Sequence, residues 1–307
     1  MDTTQNETPK QYHQPVMLAE CLEALNIKPD GVYIDATFGG GGHSRAILAQ
    51  LGEKGRLLAF DQDLDAQRNV PLDKRLIFVA DNFENFKTHV RLHKLGLVDG
   101  ILADLGVSSH QLDVPNRGFS FRFDAPLDMR MDTTQEQTAQ NIVNTYTEAE
   151  LKYIFRAYGE IDNAHKVAHH ICIARLNAPI ITTKDLQNAT QSCFGKEKEN
   201  KFFAKLFQAL RIEINDELRV LQNFLEQTPA ALKTDGRLVM MSYHSLEDRL
   251  TKNFMRSGNL DGEMEKDFFG NEIKPFKLIK TRLEASAEEQ LQNPRSRSAR
   301  LRVAQKI

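Results

Sequence analysis

Val32-Tyr-Ile-Asp35-Ala-Thr-Phe-Gly39-Gly-Gly-Gly42-His-Ser44 reads as a buried strand, a glycine turn and the start of a helix. Val32 to Ile34 is apolar and partly β-branched, Asp35 closes it, and four glycines follow; Ser44 is placed to cap the run Arg45-Ala-Ile-Leu-Ala. Between the first strand and first helix of a parallel α/β sheet, such a turn lets backbone approach a ligand closely, at a helix N-terminus and the sheet's carboxyl edge. The flanking patterns are too regular for a flexible glycine linker.

Downstream, Gly52 and Gly55 lead to a second strand, Arg56 to Phe60, closed by Asp61. A third, Leu76 to Ala80, precedes a helix around Phe86 to Leu95, and Val98 to Ala103 is a fourth strand ending in Asp104. This alternation predicts a parallel, doubly wound sheet with right-handed crossovers. The rhythm then stops. From about Gly106 to Asn200 the loop Asn116 to Asp132 is followed by helical patterns over Ala149–Tyr158, Ala164–Leu176 and Thr183–Cys193, a mostly helical insertion. Lys196 to Lys201 reads as a solvated turn before one long helix, with Phe203, Phe207, Leu210, Ile214, Leu218, Leu221 and Leu225 at helical spacing and Pro229 and Gly236 at its exit. Arg237 to Tyr243 is the fifth strand. Two more candidates end the chain, Phe276 to Lys280 and Ala299 to Ala304; in the latter, Ala299, Leu301 and Val303 share one face and Arg300 and Arg302 the other, as in a half-exposed antiparallel edge strand. At the start, residues 1–12 read as loosely attached, and His13 to Asn26 has helical spacing with Pro15 in the first turn. Ser257 to Asn271 is acidic and shows no pattern. The division expected is a sheet domain over 1–109, an insertion over 110–212 and the rest of the sheet domain over 213–307.

The 307 residues are 41% hydrophobic, enough for a sizeable core, and no run approaches the roughly 18 apolar residues of a membrane span. Met1 to Lys10 contains no apolar signal core, so a cytoplasmic protein is expected. Cys21, Cys172 and Cys193 are far apart and suggest packing, not a disulfide or zinc framework. The net charge of −2 argues against a protein that coats nucleic acid. Yet residues 295–307 carry five basic groups and no acid, leaving 35 basic against 42 acidic groups elsewhere, so a localised anionic partner is expected there.

The glycine run fails the dinucleotide fingerprint G-x-G-x-x-G/A, since its sixth position is Ser44 or Arg45, and a P-loop would need lysine where His43 stands. What remains is a strand-end acid, a glycine turn, and Asp61 twenty positions after Gly41, the arrangement of a ribose-chelating carboxylate beside a compact ligand. A strand-end acid that merely caps its own turn is the alternative for Asp61.

Further blocks carry a resemblance. Asp35-Ala-Thr-Phe-Gly-Gly-Gly-Gly-His-Ser44, Leu102-Ala-Asp-Leu-Gly-Val-Ser-Ser-His-Gln-Leu-Asp113, Arg117-Gly-Phe-Ser-Phe121, Pro126-Leu-Asp-Met-Arg-Met-Asp132, Phe207-Gln-Ala-Leu-Arg-Ile-Glu213, Ser242-Tyr-His-Ser-Leu-Glu-Asp-Arg249 and Asn293-Pro-Arg-Ser-Arg-Ser-Ala-Arg-Leu-Arg302 stand in the order seen in the bacterial small-subunit (16S) ribosomal RNA cytosine N4-methyltransferases, which the chain resembles from about His13 to Ala304. The resemblance implies S-adenosylmethionine as cofactor and a class I methyltransferase fold: Rossmann-like, mostly parallel, with an antiparallel C-terminal edge and a helical insertion. It places Gly41, Gly42 and His43 at the methionine end of the cofactor, Asp61 on the ribose hydroxyls, Phe83 beside the adenine, and Asp104 and Gln111 near the transferable methyl. The chain departs from the family in having only glycine in the run, His110 where proline is frequent, and no cysteine-rich stretch after Arg249; no metal is expected.

The N4 amine of cytosine is a poor nucleophile, so the chemistry needs acceptors that orient it, and alignment supplies much of the rate. Asp104 is the candidate, with the Tyr243-His244-Ser245 turn across the cleft. Phe119, Phe121 and Tyr243 are candidates to stack the extruded base, core packing being the alternative for both phenylalanines. Arg117, Arg122, Arg130, Arg295 and Arg297 are candidates for phosphate contacts, a solvated tail being the alternative for the last two. The pairs His89/His93 and His165/His169 lack the glutamate and third ligand of a zinc site. The partners expected are small-subunit rRNA or a ribosomal particle, with no membrane and a homodimer left open. A nicotinamide-dependent dehydrogenase and a noncatalytic ribosome-assembly RNA-binding factor are the alternative readings of the same sheet.

Overall fold

Every early strand is a short apolar run closed by a polar residue, and in a computed structural model of the chain these runs lie side by side. The structure describes residues 15–195 and 198–307; the expected loose segment at 1–12, the His13 end of the first helical pattern, and Lys196 and Glu197 of the expected turn lie outside them. In chain order the elements are α1 (Leu18–Leu25), β1 (Val32–Asp35), α2 (Gly42–Gln50), β2 (Arg56–Phe60), β3 (Leu76–Val79), α3 (Phe86–Leu92), β4 (Val98–Asp104) and α4 (Ser109–Asp113). The helices α5 (Ala139–Thr145), α6 (Glu148–Ala157), α7 (Ala164–Asn177), α8 (Thr183–Thr190), α9 (Glu199–Asn215) and α10 (Glu217–Ala231) follow. The chain ends with β5 (Leu232–Ser242), α11 (Ser245–Ser257), β6 (Glu265–Lys266), β7 (Glu272–Ile273), β8 (Phe276–Leu283), α12 (Ala287–Gln292) and β9 (Arg300–Lys306).

Seven strands form one sheet in the order β3-β2-β1-β4-β5-β9-β8, parallel from β3 to β5 and antiparallel from there to β8. This is the class I methyltransferase arrangement. Strand alternation divides the core: Ile34, Leu58, Ile101 and Met240 pack with Phe86 of α3 and Phe224 of α10, whereas Tyr33, Leu57, Leu102 and Val239 pack with Cys21 of α1 and Ile47 of α2. A separate apolar cluster joins α5 to α9 with the loop residues Phe119, Leu127, Met129 and Met131. Three of its helices, α5, α6 and α8, start where the sequence offers reciprocal caps, Thr138 with Asn141, Thr147 with Glu150 and Thr182 with Asp185.

Four expectations change. The helix from Phe203 to Leu225 is two, because Asp216 turns left-handed at φ 50° between α9 and α10. Pro229 lies inside α10, not at its exit: it cannot bond the Leu225 carbonyl, which the Thr228 hydroxyl takes instead at 2.7 Å. Pro15 precedes the first helix, which begins at Leu18. Finally, β9 is no edge strand. It lies between β5 and β8, and Arg302 is buried against Asp248 at 2.7 Å and 3.0 Å, so the polar face reads as a paired interior and not as solvent. The segment 257–271, without pattern in the sequence, runs into the hairpin β6–β7. No helix among the described residues is long and apolar enough to cross a membrane.

Candidate active site

The carboxyl ends of β1, β2, β4 and β5 deliver Asp35, Asp61, Asp104 and Tyr243 to one edge of the sheet. Asp35 is buried and accepts from Thr37 N at 3.1 Å and Ser44 Oγ at 2.6 Å. Ser44 therefore does not cap its helix. α2 starts at Gly42 behind Gly41, and the serine inside it clamps the turn to the strand. Gly41 has φ +74°, and a Cβ there would meet Phe38 Cζ at 2.6 Å; one at Gly42 would meet Pro15 Cγ at 2.2 Å. Gly39, at φ +51°, also needs the left-handed region, whereas Gly40 has nothing within 4 Å of a Cβ position.

Asp61 takes backbone N–H groups on both oxygens, Gly39 at 2.7 Å and Asp63 at 2.8 Å, and burial pushes its carboxyl up to about 6 against those two bonds. It caps its own turn. Asp63, which the sequence reading passed over, is the buried hub beside it. It receives Gln111 Nε2 at 2.8 Å and Arg117 Nη1 at 2.7 Å. Gln111, expected at the cofactor's edge, is thus buried with both amide ends in use, its Oε1 accepting from Ser108 N.

At the end of β4, the Asp104 N–H donates to Thr37 Oγ1 at 2.7 Å, and Oδ1 accepts from the Tyr243 hydroxyl at 2.7 Å. Oδ2 lies 3.9 Å from His43 Nδ1, and the side chain is 23% exposed. Burial raises this carboxyl to about 6, against His43 and the Tyr243 hydroxyl, which pull it down. His43 is buried, which lowers its own basicity, and its Nε2 is 3.2 Å from the Val16 carbonyl. A carbonyl can only accept, so Nε2 carries a proton and Nδ1 is the ring nitrogen nearer Asp104. Tyr243 is fixed from behind: its N–H donates to Glu247 Oε2 at 3.0 Å. Burial would raise the Glu247 carboxyl, but His244 at 3.0 Å and Arg211 nearby hold it below the usual range. Among the described residues Glu217, His244 and Glu247 group as cation ligands would, yet Arg211 already holds both Glu217 oxygens at 2.7 Å and 2.9 Å. Ser245 donates to Glu160 at 2.6 Å, from the start of α11 to the loop after α6.

The RNA candidates separate by burial. Arg117 is an interior residue, only 8% exposed, bridging Asp63 and the carbonyls of Arg130 and Met131; desolvation of a lone guanidinium demands such partners. Arg130 grips Asp128 and the carbonyls of Thr133 and Gln135 within its own loop. Phe119 is buried under Arg117, and half-buried Phe121 packs on Phe203 and Phe207. Arg122, Phe123 and Asp124 form an exposed run beside them, with Phe123 41% exposed. Arg295 pairs with Asp113 at 2.5 Å, Arg297 lies exposed one turn on, and Phe83 stacks edge-on against Phe224 near the end of β3. His89 binds Asp81 at 2.9 Å and His169 lies 3.2 Å from Glu148, each an ordinary pairing.

The MraW methylase family model matches residues 10–307. A ribosomal RNA small subunit methyltransferase H of Parabacteroides distasonis is 52% identical over 298 residues, 96% of this chain and 98% of that one. One of Bacteroides fragilis is 51% identical over 96% and 97%. A solved rRNA methylase of Streptococcus thermophilus superposes with a TM-score of 0.41 at 11% identity, over 94% of this chain and 95% of that chain, and nothing about the reaction follows from so slight a likeness. Across essentially its whole length, then, the chain belongs to the MraW methylase family.

Proposed function

We propose that the chain transfers a methyl group from S-adenosylmethionine to the exocyclic N4 amine of a cytosine in small-subunit rRNA, near the decoding centre, with Asp104 receiving the amine. The observation that carries this reading is the setting of Asp104: one oxygen held by Tyr243, the other 3.9 Å from His43 on a side chain still 23% exposed, on the strand beside the glycine turn. The turn suits the methyl donor, because left-handed Gly39 and Gly41 and the open space at Gly40 leave backbone uncovered beside Asp61. Gly41, Gly42 and His43 would hold its methionine end, Asp61 its ribose through lone pairs left over from the two N–H bonds, and Phe83 its adenine. Once bound, S-adenosylmethionine supplies an electrophilic methyl group on a sulfonium.

The chain's own residues do the rest. The Asp104 carboxylate accepts an amino N–H, turns the nitrogen and takes the proton it sheds; with a carboxyl titrating near 6, the accepting form prevails at pH 7. Phe123, Arg122 and Arg297 meet the RNA, with the Tyr243 to Ser245 turn facing the base. We place the reaction in the cytoplasm, on a ribosomal particle. The test is methylation of small subunits from cells lacking the gene, read as N4-methylcytidine by nucleoside mass spectrometry. Wild type should restore it and Asp104→Ala should not; full activity in that variant removes Asp104 from the mechanism, and a different methylated nucleoside removes the N4 assignment.

A further inference from the structure

The hairpin β6–β7 turns through Asp267 to Asn271 and displays Phe268 and Phe269, 98% and 84% exposed, with their rings 5.7 Å apart. The turn is built, not slack. Asp267 Oδ1 accepts from Phe269 N and Asn271 N, both at 2.8 Å, Oδ2 accepts from Asn271 Nδ2 at 2.9 Å, and Gly270 supplies a left-handed φ of +87°. Its base is tied to α11, where Asn253 Nδ2 donates to the Leu260 carbonyl at 3.0 Å and Arg256 Nη2 to the Gly262 carbonyl at 2.6 Å. Two phenylalanines held apart from any core, on a pre-formed turn, pay their ordering cost before a partner arrives. Exposed aromatic anchors of this kind mark contact sites.

The charge around them selects the partner. Residues 261–274 carry Asp261, Glu263, Glu265, Asp267 and Glu272 against Lys266 and Lys274, a net −3, with Lys274 paired to Glu272 at 2.5 Å. That field repels phosphate and attracts lysine and arginine, which also sit well on phenyl faces.

We propose that the Phe268–Phe269 tip docks on a basic protein surface of the small ribosomal particle, a handle separate from the methyl-transfer cleft. This rests on the reading that a ribosomal particle is the substrate. The test uses the full chain and measures affinity for two probes: purified small subunits lacking the methyl mark, and the protein-free rRNA extracted from them. Phe268→Ala/Phe269→Ala should weaken binding to subunits by roughly tenfold or more and leave binding to free rRNA unchanged. Asp261→Lys/Glu263→Lys, at exposed positions outside the turn, should do the same and flatten the salt dependence on subunits. Equal loss on both probes means the rings stack on RNA and overturns the proposal, as do unchanged affinity for subunits in both variants and a wild type that prefers neither probe. Failure of the wild type to form N4-methylcytidine would count against the reaction alone, since docking is read from affinity.

Discussion

Asp104 and Tyr243 form a donor–acceptor pair whose removal has a signed consequence. The hydroxyl pulls the carboxyl down from where burial would set it, so Tyr243→Phe should move the acid limb of kcat/KM to higher pH, with activity at pH 7 falling by about tenfold. An unmoved limb would show that another group sets it. The same carboxyl also bears on stability. Its folded value, about 6, stands above the unfolded 3.8, so the native state binds the proton more tightly; that stabilisation is complete below about pH 4 and is lost as pH rises through 6. Asp104→Asn should therefore inactivate the protein yet raise its unfolding free energy at pH 8 by on the order of 1–3 kcal/mol, with the gain gone at pH 4 by denaturant titration. Of this site, Asp35, Asp61 and Asp104 could be read because each closes an apolar run. Thr37 and Asp63 could not: their partners lie 67, 48 and 54 positions away, and pairing at that range leaves no local pattern.

At the scale of elements, the glycine turn and β9 show what a periodic signal carries and what it omits. The four glycines look alike in sequence, but they meet different constraints. Gly40→Ala should be neutral in thermal unfolding, whereas Gly41→Ala must hold a Cβ at φ +74° against Phe38 and should lose about 1–2 kcal/mol of stability. Equal behaviour of the two would mean the turn is not held in this conformation. The alternation of β9 gave the correct strand and the wrong neighbourhood, because Arg302 on its polar face looks the same whether it meets water or Asp248. Arg302→Ala leaves Asp248 buried with only Arg300, at 3.1 Å, and should cost about 3 kcal/mol in urea unfolding; the double variant Arg302→Leu/Asp248→Leu should recover much of it.

Across the whole molecule, the sheet and the helical cluster meet at the candidate cleft through a few long-range polar ties. Arg117 and Gln111 converge on Asp63, Gln62 reaches Met131 Sδ at 3.2 Å, and Asn215 holds the entry loop by accepting from Met131 N at 2.7 Å and donating to the Met129 carbonyl at 2.9 Å. Arginines in that loop invite a phosphate-binding interpretation, and the geometry divides them. A phosphate contact contributes to affinity by releasing counterions, so its loss lowers the slope of log K against log salt by roughly 0.7–0.9 and leaves folding alone. An interior ion pair does the opposite. Arg122→Ala, at an exposed position, should reduce the salt slope of rRNA binding with unchanged stability. Arg117→Ala strands the Asp63 carboxylate in the interior, so it should lower unfolding free energy by about 3–5 kcal/mol while the salt slope of the folded fraction stays that of the wild type. Binding isotherms at several salt concentrations, paired with denaturant titrations of both variants, distinguish the two roles. A reduced slope for Arg117→Ala at unchanged stability would put its guanidinium on the RNA and break the junction described here.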